Sequence, residues 1–420
     1  MAFQPTITPS ASTDNAEQYH FAFGAMTTLF FIWGFITALN DILIPYLKAA
    51  FDLSYTQAML VQFCFFGAYF IVSPFAGKLI SKIGYLKGII TGLLTIAAGC
   101  LIFYPAASIG VYWVFLTGLF VLASGITILQ VSANPYVASL GKEATAASRL
   151  NLAQAINSLG HTFGPIFGSA LIFGAMVSTT SSTDASAVKL PYLLIAGATI
   201  FVAIAFKFLH LPTIKHISAE HAAPSETKRS IWQEKSLLLG TVAIFLYVGA
   251  EVSIGSFLVN YFMQSDIAAM NEKQAGDMVA YYWGAAMIGR FVGAYLTRYI
   301  KPSYILAFNG VIAMLLLIIT MNTTGNIAMY SVLAVGFFNS IMFPTIFTLA
   351  IRGLGPLTSK GSGLLCQGIV GGAILPLIQG YVADVSSVQI SFIVPALAYI
   401  YILFYALYSA KRAPSVGASA

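Results

Sequence analysis

The chain has 420 residues, of which 58% are hydrophobic and 8% charged, and its formal net charge is +6. An average soluble domain carries about 25% charged residues, so an ordinary cytosolic enzyme is excluded. The positive balance is not a nucleic-acid signal either, because the basic residues are dispersed in short loops between long apolar runs.

Those runs are continuous, whereas a transmembrane barrel shows alternating strands of about 10 residues. The expected class is therefore an all-α membrane protein. The first 20 residues are polar, carry Asp14 and Glu17, and lack a basic stretch ahead of the first apolar run. They read as a tail and not as a cleaved signal peptide. Twelve spans follow, since crossing a bilayer takes roughly 20 apolar residues. They cover 21–48, 57–80, 86–105, 111–139, 148–177 and 190–210, then 237–263, 276–298, 303–321, 325–352, 362–383 and 388–410. The expected organisation is a tail over 1–20, a six-helix bundle over 21–210, a polar inter-half loop over 211–236, a second six-helix bundle over 237–410 and a tail over 411–420.

With both termini placed in the cytoplasm, only Lys48, Lys189 and Lys273 of the 20 Lys and Arg residues fall outside, and Arg290 alone lies at membrane depth. That asymmetry follows the rule that cytoplasmic loops are enriched in Lys and Arg. It predicts a plasma-membrane protein, a bacterial inner-membrane one, with the lipid bilayer as its surroundings. Cys64, Cys100 and Cys366 are scattered among apolar residues, with no disulfide or metal-ligand spacing.

Strongly polar side chains within the spans are few, and they mark the candidate site. The first span holds Asn40 and Asp41. A charge at the bilayer centre costs about 2.5–3.5 kcal/mol on insertion scales and usually marks a substrate or ion path. The fourth span carries Gln130 and Asn134, four apart, and the fifth carries Gln154 and Asn157, three apart. Each pair shares a helix face. Such faces turn inward because lipid cannot satisfy an amide. The seventh span carries Glu251, the eighth Trp283, the tenth Asn339 and the eleventh Gln367. Amides donate and accept at once, as sugar hydroxyls do, and flat rings such as Trp33, Tyr282 and Trp283 suit the C–H face of a sugar. Plainer roles compete: Gln130 and Gln154 as glue between helices, Asn134 beside Pro135 as manager of a kink, Trp283 and His161 as packing groups, and Arg290 as a pin between helices.

The chain repeats itself. GKLISKIGYLKG at 77–88 is answered by GAYLTRYIK at 293–301, Pro135 by Pro344, and Gln154 with Pro165 by Gln367 with Pro376. Two parallel halves of six helices resemble the major facilitator superfamily, whose substrate site lies near the midplane between the halves. Ser81 stands where that superfamily usually has an acid. The segments FFIWGFITALNDILIPYL, QVSANPYVASLG, RLNLAQAINSLG, GRFVGA and FPTIFTLAI are similar to the fucose–proton symporter family. GAEVSIGSFLVNY at 249–261 points to its glucose/galactose transporter branch.

The resemblance implies a secondary transporter working by alternating access, which couples hexose uptake to a cation gradient. It places the family's cation-coupling acid on Asp41 and its sugar-binding amides on Gln154 and Asn157. Gln130 stands where the fucose permease has a Glu, so a titratable proton is lost while an oxygen ligand is kept. Asp41, with Asn40 and Gln130, is the expected cation site, with Na⁺ favoured over H⁺. Gln130, Asn134, Gln154, Asn157, Glu251, Trp283, Asn339 and Gln367 are the expected sugar-binding set. No cofactor is expected beyond the coupling ion, and no nucleic-acid partner; a monomer suffices. A fucose-type proton symporter is one alternative. A proton-coupled drug antiporter is another, suggested by GHTFGPIFG at 160–168. HExxH, GxSxG and Walker patterns are absent, so neither an enzyme nor an ATP-driven pump is expected.

Overall fold

The computed structural model describes residues 13–51, 55–177, 189–209, 211–212 and 230–412; within these, the side chains of 13–17, 38–50, 55–59, 62, 164–177 and 272–273 lie outside the description. Its helices are α1 Thr13–Ala50, α2 Tyr55–Ile83, α3 Tyr85–Ile109, α4 Tyr112–Ser139, α5 Ala146–Val177 and α6 Lys189–Phe208 in the first bundle. The second holds α7 Lys235–Phe262, α8 Glu272–Leu296 and α9 Pro302–Asn322. It continues with α10, in two segments Gly325–Asn339 and Met342–Ile351, and α11, in two segments Thr358–Gln367 and Gly371–Val385 joined by a 3₁₀ turn. It closes with α12, in segments Val388–Ser391 and Ile393–Arg412. Among the described residues ten helical stretches are long and apolar enough to cross a membrane. The helices outside that set are α5 and α8, whose described parts carry Arg149, Asn151, Gln154 and Asn157, and Asp277 and Arg290.

Lipid offers the backbone no hydrogen bonds, so the apolar runs close their own as helices. Hydroxyls inside them bond the preceding turn for the same reason: Thr37 to the Trp33 carbonyl, Thr127 to Ala123 and Ser132 to Ile128. Where helices touch, the residue is often glycine. A Cβ on Gly160 would run into the Phe31 carbonyl, and one on Gly34 into the Asn157 carbonyl, so the backbones of α1 and α5 lie against each other.

The twelve expected spans are all present as helices, with shifted ends. α1 begins at Thr13, inside the stretch expected to be tail, and α12 runs to Arg412. Residues 1–12 and 413–420, and 213–229 of the inter-half loop, lie outside the described residues. The described end of that loop is a 3₁₀ turn, Ile231–Gln233, capped by Ser230. The tenth span is broken at Ser340–Ile341. Pro344 has no N–H to return to the Ser340 carbonyl, and its ring crowds that turn.

Three carbonyls that prolines set free are used again. Pro74, Pro135 and Pro344 leave Phe70, Val131 and Ser340 without their helical donors. Gln367 Nε2 donates to Phe70 O at 3.3 Å, Ser362 Oγ to Val131 O at 2.9 Å, and Arg290 Nε to Ser340 O at 3.2 Å. The first two of these bonds join the bundles. α2 and α4 meet α11 on one side of the molecule, and α5 meets α8 on the other. At the same end, Ser148 Oγ donates to the Ala294 carbonyl at 2.6 Å, Arg298 Nε reaches Ser148 at 3.2 Å, and Glu143 pairs with Arg352 at 2.8 Å. The bundles are therefore closed against each other along the face that carries the 83–85, 139–146, 296–302 and 351–358 connections.

Candidate functional site

Beyond that closed face, between the bundles, lies a cavity of about 220 Å³. Its walls are Trp33 and Thr37 of α1, Phe65 and Tyr69 of α2, Gln130 of α4, and Gln154 and His161 of α5. The second bundle adds Val248 and Glu251 of α7, Arg290 of α8, Phe343 and Pro344 of α10, and Ile369 beyond the first segment of α11. Seven helices and the turn at Ile369 thus deliver one or two side chains each to one space, and where there are two, helical spacing brings them together: Trp33 and Thr37 are four apart, Gln154 and His161 seven.

The polar wall of the first bundle is built from neutral groups. The Tyr69 hydroxyl donates to Gln130 Oε1 at 2.9 Å, which orients that amide. Gln130 and Gln154 are both buried. Phe65 and Tyr69 stand with ring centroids 5.6 Å apart, and Trp33 packs on Phe30 at 5.1 Å. His161 Nδ1 is 3.4 Å from the Asn157 carbonyl.

The polar wall of the second bundle is an ion pair. Arg290 Nη2 is 3.7 Å from Glu251 Oε1, with the side chains 16% and 14% exposed. The same guanidinium donates through Nε to Ser340 O and through Nη1 to Ser158 Oγ on α5 of the other bundle. One planar fork therefore ties α7, α8, α10 and α5 together, which a lysine ammonium could not do with the same geometry. Arg290 is both the pin foreseen in the sequence and part of the cavity wall. Among the described residues no donor–acceptor chain leads from a nucleophile to a base here. The cavity is fitted to hold a small polar molecule.

Of the expected sugar-binding residues the structure gathers Gln130, Gln154 and Glu251. It places the others elsewhere. Asn157 turns its amide to α1, where Nδ2 donates to the Phe30 carbonyl at 2.8 Å. Asn339 is fully buried and joins three helices, donating to the Tyr282 hydroxyl at 2.8 Å and accepting from Tyr399 at 2.5 Å. Tyr282 belongs to that network and not to the cavity. Trp283 is 44% exposed and lies over Gly255 of α7. Gln367 is committed to the Phe70 carbonyl. Asn134 is fully buried beside Pro135, and neither amide atom has a hydrogen-bond partner among the described residues. The side chains of Asn40 and Asp41, the expected cation site, lie outside the described residues.

Sequence reasoning missed Thr37, Phe65, Tyr69 and Ser158. Thr37 had a signal, its four-residue spacing from Trp33. Phe65 and Tyr69 had none, being two among 32 Phe and 22 Tyr residues.

Residues 21–365 match the sequence profile of the Major Facilitator Superfamily. The chain belongs to the major facilitator superfamily. It is similar over nearly its whole length to the glucose/galactose transporter of Brucella abortus biovar 1 (strain 9-941), with 55% identity over 408 residues, 97% of this chain and 98% of the relative. It is 32% identical over 417 residues to the L-fucose-proton symporter of Escherichia coli (strain K12), covering 95% of each. Its fold matches a crystal structure of the major facilitator FucP in the outward conformation, with a TM-score of 0.84, 32% identity, and coverage of 93% of this chain and 99% of that one. As a major facilitator the chain is an integral membrane transporter and not an enzyme. The two closed seams and the cavity between them are the parts such a transporter rearranges.

Proposed function

We propose that this major facilitator carries a hexose, glucose or galactose in preference to L-fucose, by cation-coupled symport. The observation that carries the reading is the cavity wall: two buried amides, one held by Tyr69, face aromatic rings and an ion pair whose charges are already matched. A neutral polyhydroxylated ring fits such a wall, since each amide can donate to one hydroxyl and accept from another. The similarity to a glucose/galactose transporter supports the choice of sugar.

Na⁺ is the proposed coupling ion. Gln130 offers an oxygen and no titratable proton, and Glu251 is held beside Arg290. Asp41, with Asn40, is left as the anionic centre of a sodium site. Coupling to H⁺ is the second reading, favoured by the presence of the Glu251 carboxylate in the cavity and by the similarity to an L-fucose-proton symporter. We assign the closed face to the cytoplasm because it bears most of the basic loop residues; on that assignment the conformation is outward-facing and both termini lie on the cytoplasmic side of a bacterial inner membrane.

The test is uptake of labelled glucose, galactose and L-fucose into proteoliposomes, with Na⁺ and pH gradients imposed separately. Accumulation of glucose or galactose driven by inward Na⁺ at fixed pH supports the reading. Accumulation driven by a pH gradient in sodium-free buffer, indifferent to Na⁺, replaces sodium by the proton. Uptake of fucose alone overturns the sugar assignment.

A further inference from the structure

A second and larger cavity, about 500 Å³, opens on the closed face, between the bundles and away from the sugar cavity. Its charged lining is one-sided. Arg298, Lys301 and Arg352 enter from the second bundle, and Glu143 is the single acid. Basic residues on this face also set orientation in the membrane, but that purpose does not require three of them to converge on one space.

The guanidiniums are only partly engaged. Arg298 uses Nε on Ser148 and Arg352 uses Nε on Glu143; their Nη groups have no hydrogen-bond partner among the described residues. Arg149, by contrast, is consumed by the α4–α5 turn, where it donates to the carbonyls of Val137, Ala138 and Lys142.

Helix ends reinforce the sign. The starts of α5 (Ala146), α9 (Pro302) and α11 (Thr358) all lie in the lining. Each brings the positive end of a helix dipole, although the Ala146 and Thr358 N–H groups are already bonded to the Glu143 and Gly355 carbonyls and Pro302 has none. Ser303, the second residue of α9, also lines the cavity. It is 2% exposed, and its hydroxyl makes no hydrogen bond among the described residues. Three cations against one carboxylate, guanidinium Nη groups left free, three converging helix starts and the Ser303 hydroxyl in the lining together describe an anion site.

We propose that this cavity binds a phosphate monoester and that the bound dianion holds the face closed. The cations come from the second bundle, while the start of α5 comes from the first, so an anion between them spans the seam that must part for the transporter to open on this side. The site is separate from the sugar cavity and does not depend on which sugar is carried. Bidentate Arg–phosphate contacts suit the free Nη pairs. The phosphate could belong to a soluble metabolite, such as a phosphorylated sugar, or to a lipid headgroup.

Glu143 makes the inference separable from an ordinary gate. If the Glu143–Arg352 pair were only a latch, Glu143→Gln and Arg352→Gln would act alike. If the cavity is a phosphate site, Glu143 competes with the ligand, and the two substitutions act in opposite directions on binding.

The experiment uses the purified full-length protein, in phosphatidylcholine nanodiscs with and without phosphatidic acid. Thermal stability is measured against glucose 6-phosphate, inorganic phosphate and glucose. Saturable stabilisation by glucose 6-phosphate or inorganic phosphate beyond that given by saturating glucose, which fills the sugar cavity, supports a soluble ligand. Stabilisation only in the phosphatidic acid discs supports a headgroup. In either case the apparent affinity falls about tenfold or more in Arg298→Gln and Arg352→Gln, each of which removes a charge-assisted contact, and holds or rises in Glu143→Gln. Two results overturn the proposal: no saturable response to either phosphate source in the wild type, or an affinity that Arg298→Gln leaves unchanged and Glu143→Gln lowers.

Discussion

Arg290→Gln is the sharpest perturbation of the cavity between the bundles, because the guanidinium holds Glu251, Ser158 and Ser340 together. At 3.7 Å and an effective dielectric constant of about 20, the attraction to Glu251 is about 4–5 kcal/mol before any relaxation. Removing one partner of a buried pair typically costs 3–5 kcal/mol, because the other charge is stranded. Both side chains keep a little exposure to the cavity, so water can relieve part of that, and about 3 kcal/mol is the expected loss. At about 2 °C per kcal/mol for a chain of this size, Arg290→Gln lowers the thermal midpoint by about 6 °C. Most of that loss is the stranded carboxylate. The double variant Arg290→Gln/Glu251→Gln should therefore recover at least about half of it, even though two contacts are gone. Arg290→Lys should recover little, since an ammonium cannot reach three acceptors in a plane. The assay is fluorescence-detected thermal unfolding of purified protein in one detergent, for the wild type and four variants: the two singles, the double and Arg290→Lys. A double variant as unstable as the sum of its singles would refute the stranded-charge reasoning.

Other substitutions separate the cavity from its supports. Gln154→Ala should weaken hexose binding about 5- to 100-fold, because an amide facing hydroxyls leaves 1–3 kcal/mol unpaired when it is lost; unchanged affinity by calorimetry would reduce Gln154 to helix packing. Asn157→Ala should instead lower thermal stability by about 0.6 kcal/mol, the worth of one interhelical bond, because the Phe30 carbonyl keeps its helical donor Gly34, and a loss of affinity at unchanged stability would return Asn157 to the sugar. Asn134→Ala removes an amide that has no partner here, so the thermal midpoint should hold or rise; a clear fall would show that the amide is satisfied. Ser362→Ala frees the Val131 carbonyl from its bond across the seam, worth about 0.6 kcal/mol in membrane interiors. It should shift the population opening on that face by about threefold, read by cysteine accessibility, and no shift would make that bond incidental.

The fold was legible because its physics is one-dimensional. Long apolar runs, the loop charges and the repeat of Gly77 in Gly293 and of Pro135 in Pro344 are all visible along the chain. The break in α10 was hidden because a proline in an apolar run reads equally as a kink, a break or a packing residue. The site was legible only where a polar type was rare. Gln130, Gln154 and Glu251 are conspicuous among apolar neighbours, and the structure gathers them. Asn157, Asn339 and Gln367 are just as conspicuous, yet they bond backbone carbonyls and tyrosines of neighbouring helices. Spacing fixes the face of a helix but not which neighbour that face meets, so a ligand amide and a helix-bridging amide look alike in sequence. Tyr69 shows the converse: its role comes from one bond to Gln130, 61 residues away.

The cavity between the bundles is proposed to bind the hexose through its amides. Equilibrium binding of labelled galactose and glucose to purified wild-type protein and to the double variant Gln130→Ala/Gln154→Ala tests it most directly, with thermal unfolding confirming that both are folded. Saturable binding by the wild type and a loss of about 100-fold or more in the double variant is the predicted result, two unpaired contacts being removed at once. A folded double variant that binds either sugar as tightly as the wild type would contradict the account and place the sugar elsewhere.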